Sequence, residues 1–427
     1  MRYLVASFFC LLSFCVLGQT FNLNSESPVQ AQYTMPFEEL PHEGTWLQWP
    51  HNHTYGFGAE DFEPSWVQMT EALVDGERVH IIAYDNVHRD HIVNLLEESL
   101  VDMSSVDFVI AENDDFWVRD NGPIFVYDSD VNLTILDWGF NGWGGNAPFE
   151  LCDAIPVAVA DALNIPIIDL NEMVLEGGAF EIDGYGTLMA TRTSITGPDR
   201  NPDLSEAQIE DYLQEYLGVT NFVWLDGQFG GLDDITDQHI DGFARFHGNN
   251  TLVTLTHTDQ AYWGVSFSDR EIINNALNTD GVPFQIVHLP LTVNDVVTTW
   301  GQSVGYRSTY TNYYIANSVV LVPNYNDPND AVANAILSDL YPNRNVVGID
   351  CRNMLFVGGM VHCVTQQQPI GEINTALNEL ILIDDSIDLG QLICVYDLSG
   401  RRIDCPELGV TYVFHYENGN VKKVLAD

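Results

Sequence analysis

Short apolar segments alternate with amphipathic stretches along residues 30–369, and this alternation restricts the possible folds more than any other feature. Apolar runs bounded by turn residues predict strands at 79–83, 106–111, 133–137, 188–191, 221–225, 251–255, 284–288 and 318–323. Apolar residues with the helical period predict helices at 66–73, 88–99, 150–163, 205–217, 268–280 and 330–340. Strands that alternate with helices indicate an α/β fold, and since no flexible linker interrupts the region we expect one catalytic domain.

The charge balance excludes several classes of partner. The chain has 15 Lys and Arg against 61 Asp and Glu, a net charge of −46. Such a chain repels phosphate backbones and anionic lipid, so we expect no nucleic-acid binding, whereas small cations are attracted. Apolar residues make up 46% of the chain, too many for a disordered acidic polymer.

The N-terminus predicts export. One positive charge at Arg2 precedes an apolar run at residues 4–17, and Gly18 follows it. This pattern is typical of a secretory signal peptide, here residues 1–18. The run is shorter than the roughly 20 residues that a membrane span needs, and no other stretch qualifies. We therefore expect a secreted or cell-surface protein without a membrane span.

The C-terminus changes character after residue 369. Residues 370–389 are typical of a linker, and residues 390–427 predict a small β module. Strands are predicted at 392–395, near 403, at 409–413 and at 421–424, with a hairpin turn at Asn418-Gly419-Asn420. The run "YDLSGRRI…GVTYVF…NGNVKKVL" resembles the C-terminal sorting domain of bacterial type IX secretion substrates. The resemblance implies the secretion machinery as a partner.

Five cysteines follow the signal peptide, so at least one thiol is free. Cys394 and Cys405 are close enough in sequence to pair with each other, and Cys152 and Cys351 are interpreted as small buried hydrophobes. Cys363 differs because it lies between Gly358-Gly359, which allow a close backbone approach, and the polar run 366–369. No metal-ligand spacing occurs, so neither a metal nor another cofactor is predicted.

His239 is the best candidate base for this thiol. If residues 236–246 are extended, His239 and Asp241 project from the same face, and the carboxylate raises the basicity of the imidazole. His362 is adjacent to Cys363, but neighbouring residues of a strand point to opposite faces, so we expect a structural role for it.

Two further carboxylates lie beside turns. Asp120 is followed by Gly122-Pro123 and preceded by Trp117, which we expect to contact the substrate; Asp120 could also simply pair with Arg119. Glu176 ends an apolar segment before Gly177-Gly178. Acids around a thiol raise its pKa, so the set makes chemical sense if the substrate is a cation. A guanidinium, with its planar fork of donors, fits best.

These residues resemble the agmatine deiminase and bacterial peptidyl-arginine deiminase family of the guanidine-modifying superfamily. The matching segments run from Met35 to Pro369: "MPFEELPHEGTWLQWP", "NDDFWVRDNGP", "GFNGWGG", "LEGGAFEIDGYGTLMAT", "TDQHIDGFARF", "YTNYYIANSVVLVP", "DPNDAVANAILSDLYPNRNVVGID" and "GGMVHCVTQQQP". The resemblance implies a five-fold pseudo-symmetric α/β propeller, the pentein fold. It also implies the site roles: nucleophile Cys363, general acid/base His239, guanidinium clamp Asp120 and Asp241, helper Glu176, and site asparagine Asn312.

The resemblance implies hydrolysis of a guanidinium through a covalent amidino-cysteine. The peptidyl branch implies an arginine that holds the substrate carboxylate, but residues 139–146 carry no cation. This favours agmatine, whose alkyl chain Trp143 could cover. Peptidyl-arginine deimination, amidine transfer and a non-catalytic guanidine-binding protein remain alternatives. A papain-like hydrolase is disfavoured because its Cys-then-His order is reversed here.

Overall fold

The computed structural model describes residues 31–229 and 234–371, apart from the side chain of Phe57, together with the backbone of three C-terminal strands. The strands, in chain order, are β1 (Tyr33–Thr34), β2 (His42–Gln48), β3 (Arg78–Ala83), β4 (Val106–Ile110), β5 (Ile124–Asp128), β6 (Leu133–Gly139), β7 (Ile167–Val174), β8 (Phe180–Ile182), β9 (Thr187–Thr191), β10 (Asn221–Leu225), β11 (Ala244–His247), β12 (Thr251–Leu255), β13 (Gln285–Leu289), β14 (Tyr314–Ile315), β15 (Val319–Asn324), β16 (Asn345–Asp350), β17 (Gln366–Pro369), β18 (Leu392–Tyr396), β19 (Thr411–Tyr416) and β20 (Val421–Leu425).

The helical segments, in chain order, are α1 (Asn52–Tyr55), α2 (Glu63–Leu73), α3 (Asn86–Glu98), α4 (Val118–Asn121), α5 (Gly142–Gly145), α6 (Ile155–Leu163), α7 (Arg192–Ile195), α8 (Glu206–Leu217), α9 (His257–Tyr262), α10 (Phe267–Asn274), α11 (Asp330–Leu340) and α12 (Arg352–Phe356). The longer ones bury one face, as their sequence period requires. In α8, for example, Ile209, Leu213 and Leu217 are buried, while the Ser205 side chain caps the N-terminus.

The body of the chain consists of five small sheets with one repeated order. In each sheet an opening strand pairs antiparallel with a central strand, which pairs parallel with the next one. These triplets are β5-β6-β7, β8-β9-β10, β11-β12-β13, β14-β15-β16 and β17-β2-β3. Parallel neighbours need a crossover, and helices such as α6 and α11 supply it.

The fifth sheet joins the two ends of the body. Its opening strand β17 comes from residues 366–369, whereas β2, β3 and β4 come from residues 42–110. The pairing of β17 with β2 closes the ring of five units. The predicted five-fold pseudo-symmetric α/β propeller is thus confirmed.

Most predicted elements are confirmed to within a few residues. Two bounds were wrong by more than three residues. The helix predicted at 150–163 begins only at Ile155, next to Pro156, whose fixed φ suits the first turn. The helix predicted to reach residue 280 ends at Asn274, because Asn278 accepts backbone hydrogen bonds that form a turn. The strand predicted at 284–288 occupies Gln285–Leu289.

The C-terminal β module is described only as three backbone strands. β18, β19 and β20 form an antiparallel sheet, which agrees with three of the predicted strands. The signal peptide at 1–18, most of the linker at 370–389, the strand near 403 and the side chains of Cys394 and Cys405 lie outside the described residues. Within the described part, no helix has the length and apolar character needed to cross a bilayer.

Candidate active site

The five units bring the site residues together because each contributes from an equivalent place. Every predicted site residue below lies within five residues before the opening strand of its sheet. In chain order they are Asp120 before β5, Glu176 before β8, His239 and Asp241 before β11, Asn312 before β14 and Cys363 before β17. The ring symmetry thus points these turns toward one centre.

Cys363 lies in a one-turn 3₁₀ segment, His362–Val364, and is partly exposed. Its Sγ is 3.9 Å from Asp241 Oδ2 and 3.4 Å from Asn312 Nδ2. Burial, together with the negative charges of Asp241 and Asp120, raises the pKa of the thiol well above its usual range. The protein therefore holds a protonated thiol at neutral pH.

Asn312 anchors the nucleophile segment. Its side chain is fully buried, and Oδ1 accepts a hydrogen bond from the backbone N–H of His362 at 2.9 Å. The glycine pair before Cys363 allows the nucleophile segment to pack closely against a neighbouring side chain. A Cβ on Gly359 would lie 2.2 Å from the indole of Trp117, so the predicted close approach at this pair is confirmed.

His239 lies between two carboxylates. Nε2 is 2.7 Å from Glu176 Oε2, and Nδ1 is 3.6 Å from Asp120 Oδ1. Burial alone would lower the pKa of His239, but Asp120 and Glu176 outweigh it and raise the pKa to about 9. At neutral pH the imidazole is therefore cationic and able to donate a proton.

The predicted partner of His239 was wrong. Residues 240–242 form a 3₁₀ turn rather than a strand, so the alternation that would place Asp241 beside His239 does not apply. Glu176 makes the close contact instead. Glu176 is fully buried, and its other oxygen accepts from Nε of Arg200 at 2.6 Å.

Asp120 is held by one group from its own unit, Trp143, and by one from the next unit, Gly178. Trp143 Nε1 donates to Oδ2 at 2.9 Å, and the backbone N–H of Gly178 donates to Oδ1 at 3.1 Å. The pairing with Arg119 that its neighbouring position suggested does not occur, since Arg119 points toward Glu38. Burial, opposed by the charge of His239, raises the pKa of Asp120 to about 6.

Gly178 lets these groups meet. A Cβ at this position would lie 2.7 Å from Asp120 Oδ1, 2.7 Å from His239 Nδ1 and 3.1 Å from Asp241 Oδ2. Real Cβ atoms do not come within 2.7 Å of such atoms, so any side chain would displace Asp120 and His239 and would crowd Asp241. The glycines after Glu176 are therefore a condition for the site.

Asp241 pairs with a second histidine. His362 Nδ1 is 2.7 Å from Asp241 Oδ2, and His362 Nε2 is 2.9 Å from Glu38 Oε2. Burial would raise the pKa of Asp241, but the hydrogen bond and charge of His362 lower it. The prediction that His362 is not the base for Cys363 agrees with these contacts, although its reason, a strand at 362–363, was wrong.

Buried arginines lie behind Asp241 and His362. Glu38 pairs with both arginines: its Oε1 is 3.0 Å from Arg245 Nη2, and its Oε2 is 3.4 Å from Arg119 Nη2. Arg245 also contacts Glu181. Burial would raise the pKa of Glu38, but Arg245, His362 and Arg119 hold it well below its usual range. These groups form what we call the inner network: Glu38, Arg119, Glu181, Asp241, Arg245 and His362. The corresponding outer network comprises Asp120, Glu176, Arg200, Asp237 and His239, in which Arg200 Nη1 is 3.2 Å from Asp237 Oδ2.

A cavity of about 400 Å³ leads to Cys363. His239, Asp241 and Asn312 line it near the thiol, and aromatic side chains such as Trp263 and Tyr306 line it farther out. Trp117 and Trp143 are buried and are not among the residues that line this cavity, so their predicted contact with substrate stays a prediction. Among the fully described residues, no cluster of three or more His, Cys, Asp or Glu has the geometry to hold a metal ion.

The sequence interpretation missed the arginines and Glu38. Arg245 had a visible signal: it interrupts the apolar strand Phe243-Ala244-Arg245-Phe246 in a chain with few cations. A buried arginine needs a buried carboxylate, so this position indicated an internal ion pair. Arg200 lies in a polar run and Glu38 is one of two adjacent glutamates, so no local pattern distinguishes either residue.

Known proteins resemble the chain over the body described above. The family model of the Porphyromonas-type peptidyl-arginine deiminases matches residues 34–369. A Latilactobacillus sakei protein named "Putative agmatine deiminase" is 32% identical over 367 residues, covering 81% of this chain and 98% of the relative. Among solved structures, agmatine deiminase of Enterococcus faecalis is 25% identical with a TM-score of 0.70, covering 79% of this chain and 96% of its own. A C. jejuni agmatine deiminase with substrate bound is 26% identical with a TM-score of 0.68, covering 79% and 97%. The chain thus belongs to the Porphyromonas-type peptidyl-arginine deiminase family.

Proposed function

We propose that this enzyme hydrolyses agmatine to N-carbamoylputrescine and ammonia through a covalent amidino-cysteine. The observation that carries the proposal is the site itself, in which a partly exposed thiol, the carboxylate of Asp241 and the cationic His239 line one cavity. The relatives named as agmatine deiminases support the choice of substrate. No Lys or Arg occurs among the described residues that line the cavity, so a substrate carboxylate would find no countercharge there.

The proposed reaction begins when the guanidinium binds between Asp120 and Asp241. Its positive charge stabilises the thiolate, so the Cys363 proton leaves to solvent and the sulfur attacks the guanidinium carbon. The cationic His239 then gives a proton to one NH₂ group of the tetrahedral adduct, and ammonia departs. This step leaves an amidino-thioether on Cys363 and a neutral imidazole.

The second half-reaction uses the neutral His239 as a base. It takes a proton from water while the hydroxide forms a bond to the amidino carbon. Collapse of this adduct breaks the C–S bond, the O–H proton of the adduct passes to the departing sulfur, and the ureido product is released. The thiol and the protonated imidazole are thereby restored.

A ureido colour assay on the purified protein tests the proposal, with agmatine and an arginyl peptide assayed side by side. Product from agmatine is expected, and the Cys363→Ser variant should give none. Product from the peptide alone would instead select peptidyl-arginine deimination, in keeping with the family's description. Turnover by Cys363→Ser would contradict the assigned nucleophile.

We also propose that the enzyme works outside the cytoplasm. The support is in the sequence: the signal-peptide pattern at residues 1–18 and the sorting-like C-terminal module at 390–427. Activity in the medium or on the cell surface of the producing bacterium, with the N-terminus of the protein beginning near Gln19, is the expected result. Activity confined to the cell interior, on a protein that retains Met1, would contradict it.

A further inference from the structure

The outer and inner networks repeat one arrangement of side chains. In each, an aspartate faces Nδ1 of a histidine, a glutamate faces Nε2 and an arginine holds the glutamate. The outer series is Asp120, His239, Glu176 and Arg200, and the inner series is Asp241, His362, Glu38 and Arg245. The reaction proposed above uses His239 but assigns nothing to His362.

The hydrogen bonds of His362 indicate the protonation state of its ring. Both ring nitrogens lie within hydrogen-bond distance of carboxylate oxygens, at 2.7 Å and 2.9 Å, and an ionised carboxylate only accepts. Both nitrogens must therefore carry a proton, which makes the ring a cation. The charge count agrees, because the inner network has three carboxylates and two guanidinium groups, and a protonated His362 makes it neutral.

We propose that His362 is a positioning residue that holds Asp241 ionised and oriented to grip the guanidinium of the substrate. Its ring bridges the clamp carboxylate to Glu38, which is itself fixed by Arg119, Arg245 and the backbone N–H of Ile315 at 2.8 Å. The carboxylate is thus linked through one imidazole to a rigid, buried anchor. This role rests on the proposed guanidine hydrolysis but adds to it a residue outside the reacting groups.

The surroundings of His362 leave little room for another role. Asp241 and Glu38 face its ring nitrogens, and Arg119 donates to its backbone carbonyl at 3.3 Å. The imidazole is almost fully buried and lines none of the substrate cavity, so it does not touch the reacting atoms. Its effect on catalysis must therefore pass through Asp241.

Two substitutions separate the contacts of the ring. An Asn side chain places its NH₂ near the position of Nδ1, so His362→Asn keeps a donor to Asp241. A Gln side chain reaches the position of Nε2, so His362→Gln keeps a donor to Glu38 and leaves Asp241 without one. We expect KM for agmatine to rise about 10- to 100-fold in His362→Gln and clearly less in His362→Asn, with kcat changed by less than about 10-fold in both.

The pH dependence gives a second readout. Without its imidazolium partner Asp241 takes up a proton more easily, so the KM of His362→Gln should rise more steeply between pH 8 and pH 6 than the KM of wild type. His80→Gln is the matched control, because His80 is also buried with both ring nitrogens facing carboxylates, Glu43 at 2.7 Å and Asp107 at 3.6 Å, but contacts neither Asp241 nor Glu38. It should keep the wild-type KM at both pH values.

Three results would overturn the proposal. Equal losses in the Asn and Gln variants, or a greater loss in Asn, would mean that the volume of the ring matters rather than its contact with Asp241. A fall in kcat at constant KM would place His362 in the chemical step, and failure of both variants to fold, judged by thermal unfolding, would make its role structural. If wild type itself produced no ureido group, the proposed function would fail instead, so the two failures are distinguishable.

Discussion

The outer and inner networks show how the same side chains acquire different roles on the two sides of one thiol. His239 lines the substrate cavity and lies 3.6 Å from Asp120, longer than a hydrogen bond, so its Nδ1 proton can be transferred. His362 is enclosed, with both nitrogens at hydrogen-bond distance from carboxylates. The pKa values of the two aspartates differ in the same way. Burial raises the pKa of Asp120 to about 6 despite His239, whereas the hydrogen bond and charge of His362 lower the pKa of Asp241.

Charge distinguishes the networks further. With His239 protonated, the outer network has three carboxylates against two cations and carries one net negative charge, whereas the inner network is neutral. A guanidinium supplies the missing positive charge where the reaction occurs. The difference teaches that the inner network holds Asp241 in place, while the outer network lacks one positive charge, which the substrate supplies.

The largest effect is expected from His239→Gln. Gln keeps a donor toward Glu176 but removes the transferable Nδ1 proton, so kcat should fall by about 10³-fold or more. Steady-state kinetics with agmatine at saturation measure it. A loss below about 10-fold would mean that another group protonates the departing ammonia, and the contrast between the networks would disappear.

The second-largest effect is expected from Arg200→Met, and it concerns stability. The fully buried Arg200 balances Glu176 and Asp237, so its removal leaves buried charge unpaired and should lower the free energy of unfolding by about 3–5 kcal/mol. Urea unfolding monitored by tryptophan fluorescence measures the change. Arg192→Met, at a partly exposed arginine that also pairs with carboxylates, is the control and should cost about 1 kcal/mol or less. Similar values for the two variants would contradict the outer network as drawn.

Asp120→Asn should trade activity for stability. Because the folded protein raises the pKa of Asp120 above its usual value of 3.8 to about 6, it favours the protonated form, and ionisation weakens the fold as pH rises through this range. The variant should bind agmatine poorly, yet at pH 8 its free energy of unfolding in urea should exceed that of wild type by up to about 3 kcal/mol. This gain should vanish near pH 4, and a gain that persists there would contradict the shifted pKa.

Trp143→Phe should give the smallest effect. Loss of the indole donor to Asp120 makes ionisation of that carboxylate harder, so KM for agmatine should rise about 5- to 10-fold at pH 7 and less at pH 8.5. Trp138→Phe, another buried tryptophan that does not contact Asp120, is the control. An equal rise in KM for both would assign the effect to packing.

Whether a strand could be predicted from the sequence depends on where its polar groups find their partners. The strands predicted from apolar runs are central or later strands of their sheets, such as β9 and β12, which are buried on both faces. The opening strands escaped, because β17 reads Gln366-Gln367-Gln368-Pro369 and β11 carries the buried Arg245. Their polar groups are satisfied only by tertiary contacts, which no local pattern encodes.

The site residues were predictable as a set but their pairing was not. Glycines and an aspartate or glutamate at a turn indicated Asp120 and Glu176, yet the close partner of His239 is 63 positions away along the chain. The five-fold repeat is equally invisible in sequence, because the units share backbone order and not residue types. Only the family resemblance supplied it.

The different roles of the two histidines are tested most directly by measuring agmatine binding to the unreactive Cys363→Ser protein. His239→Gln or His362→Gln is added to this variant, and titration calorimetry at pH 7.5 gives the dissociation constant. His239→Gln removes a cation from the cavity wall, so the dissociation constant should stay the same or fall. His362→Gln removes the anchor of Asp241, so the dissociation constant should rise about 10-fold or more. Changes in the same direction for both histidines would contradict the separation into a proton-transferring and a positioning network.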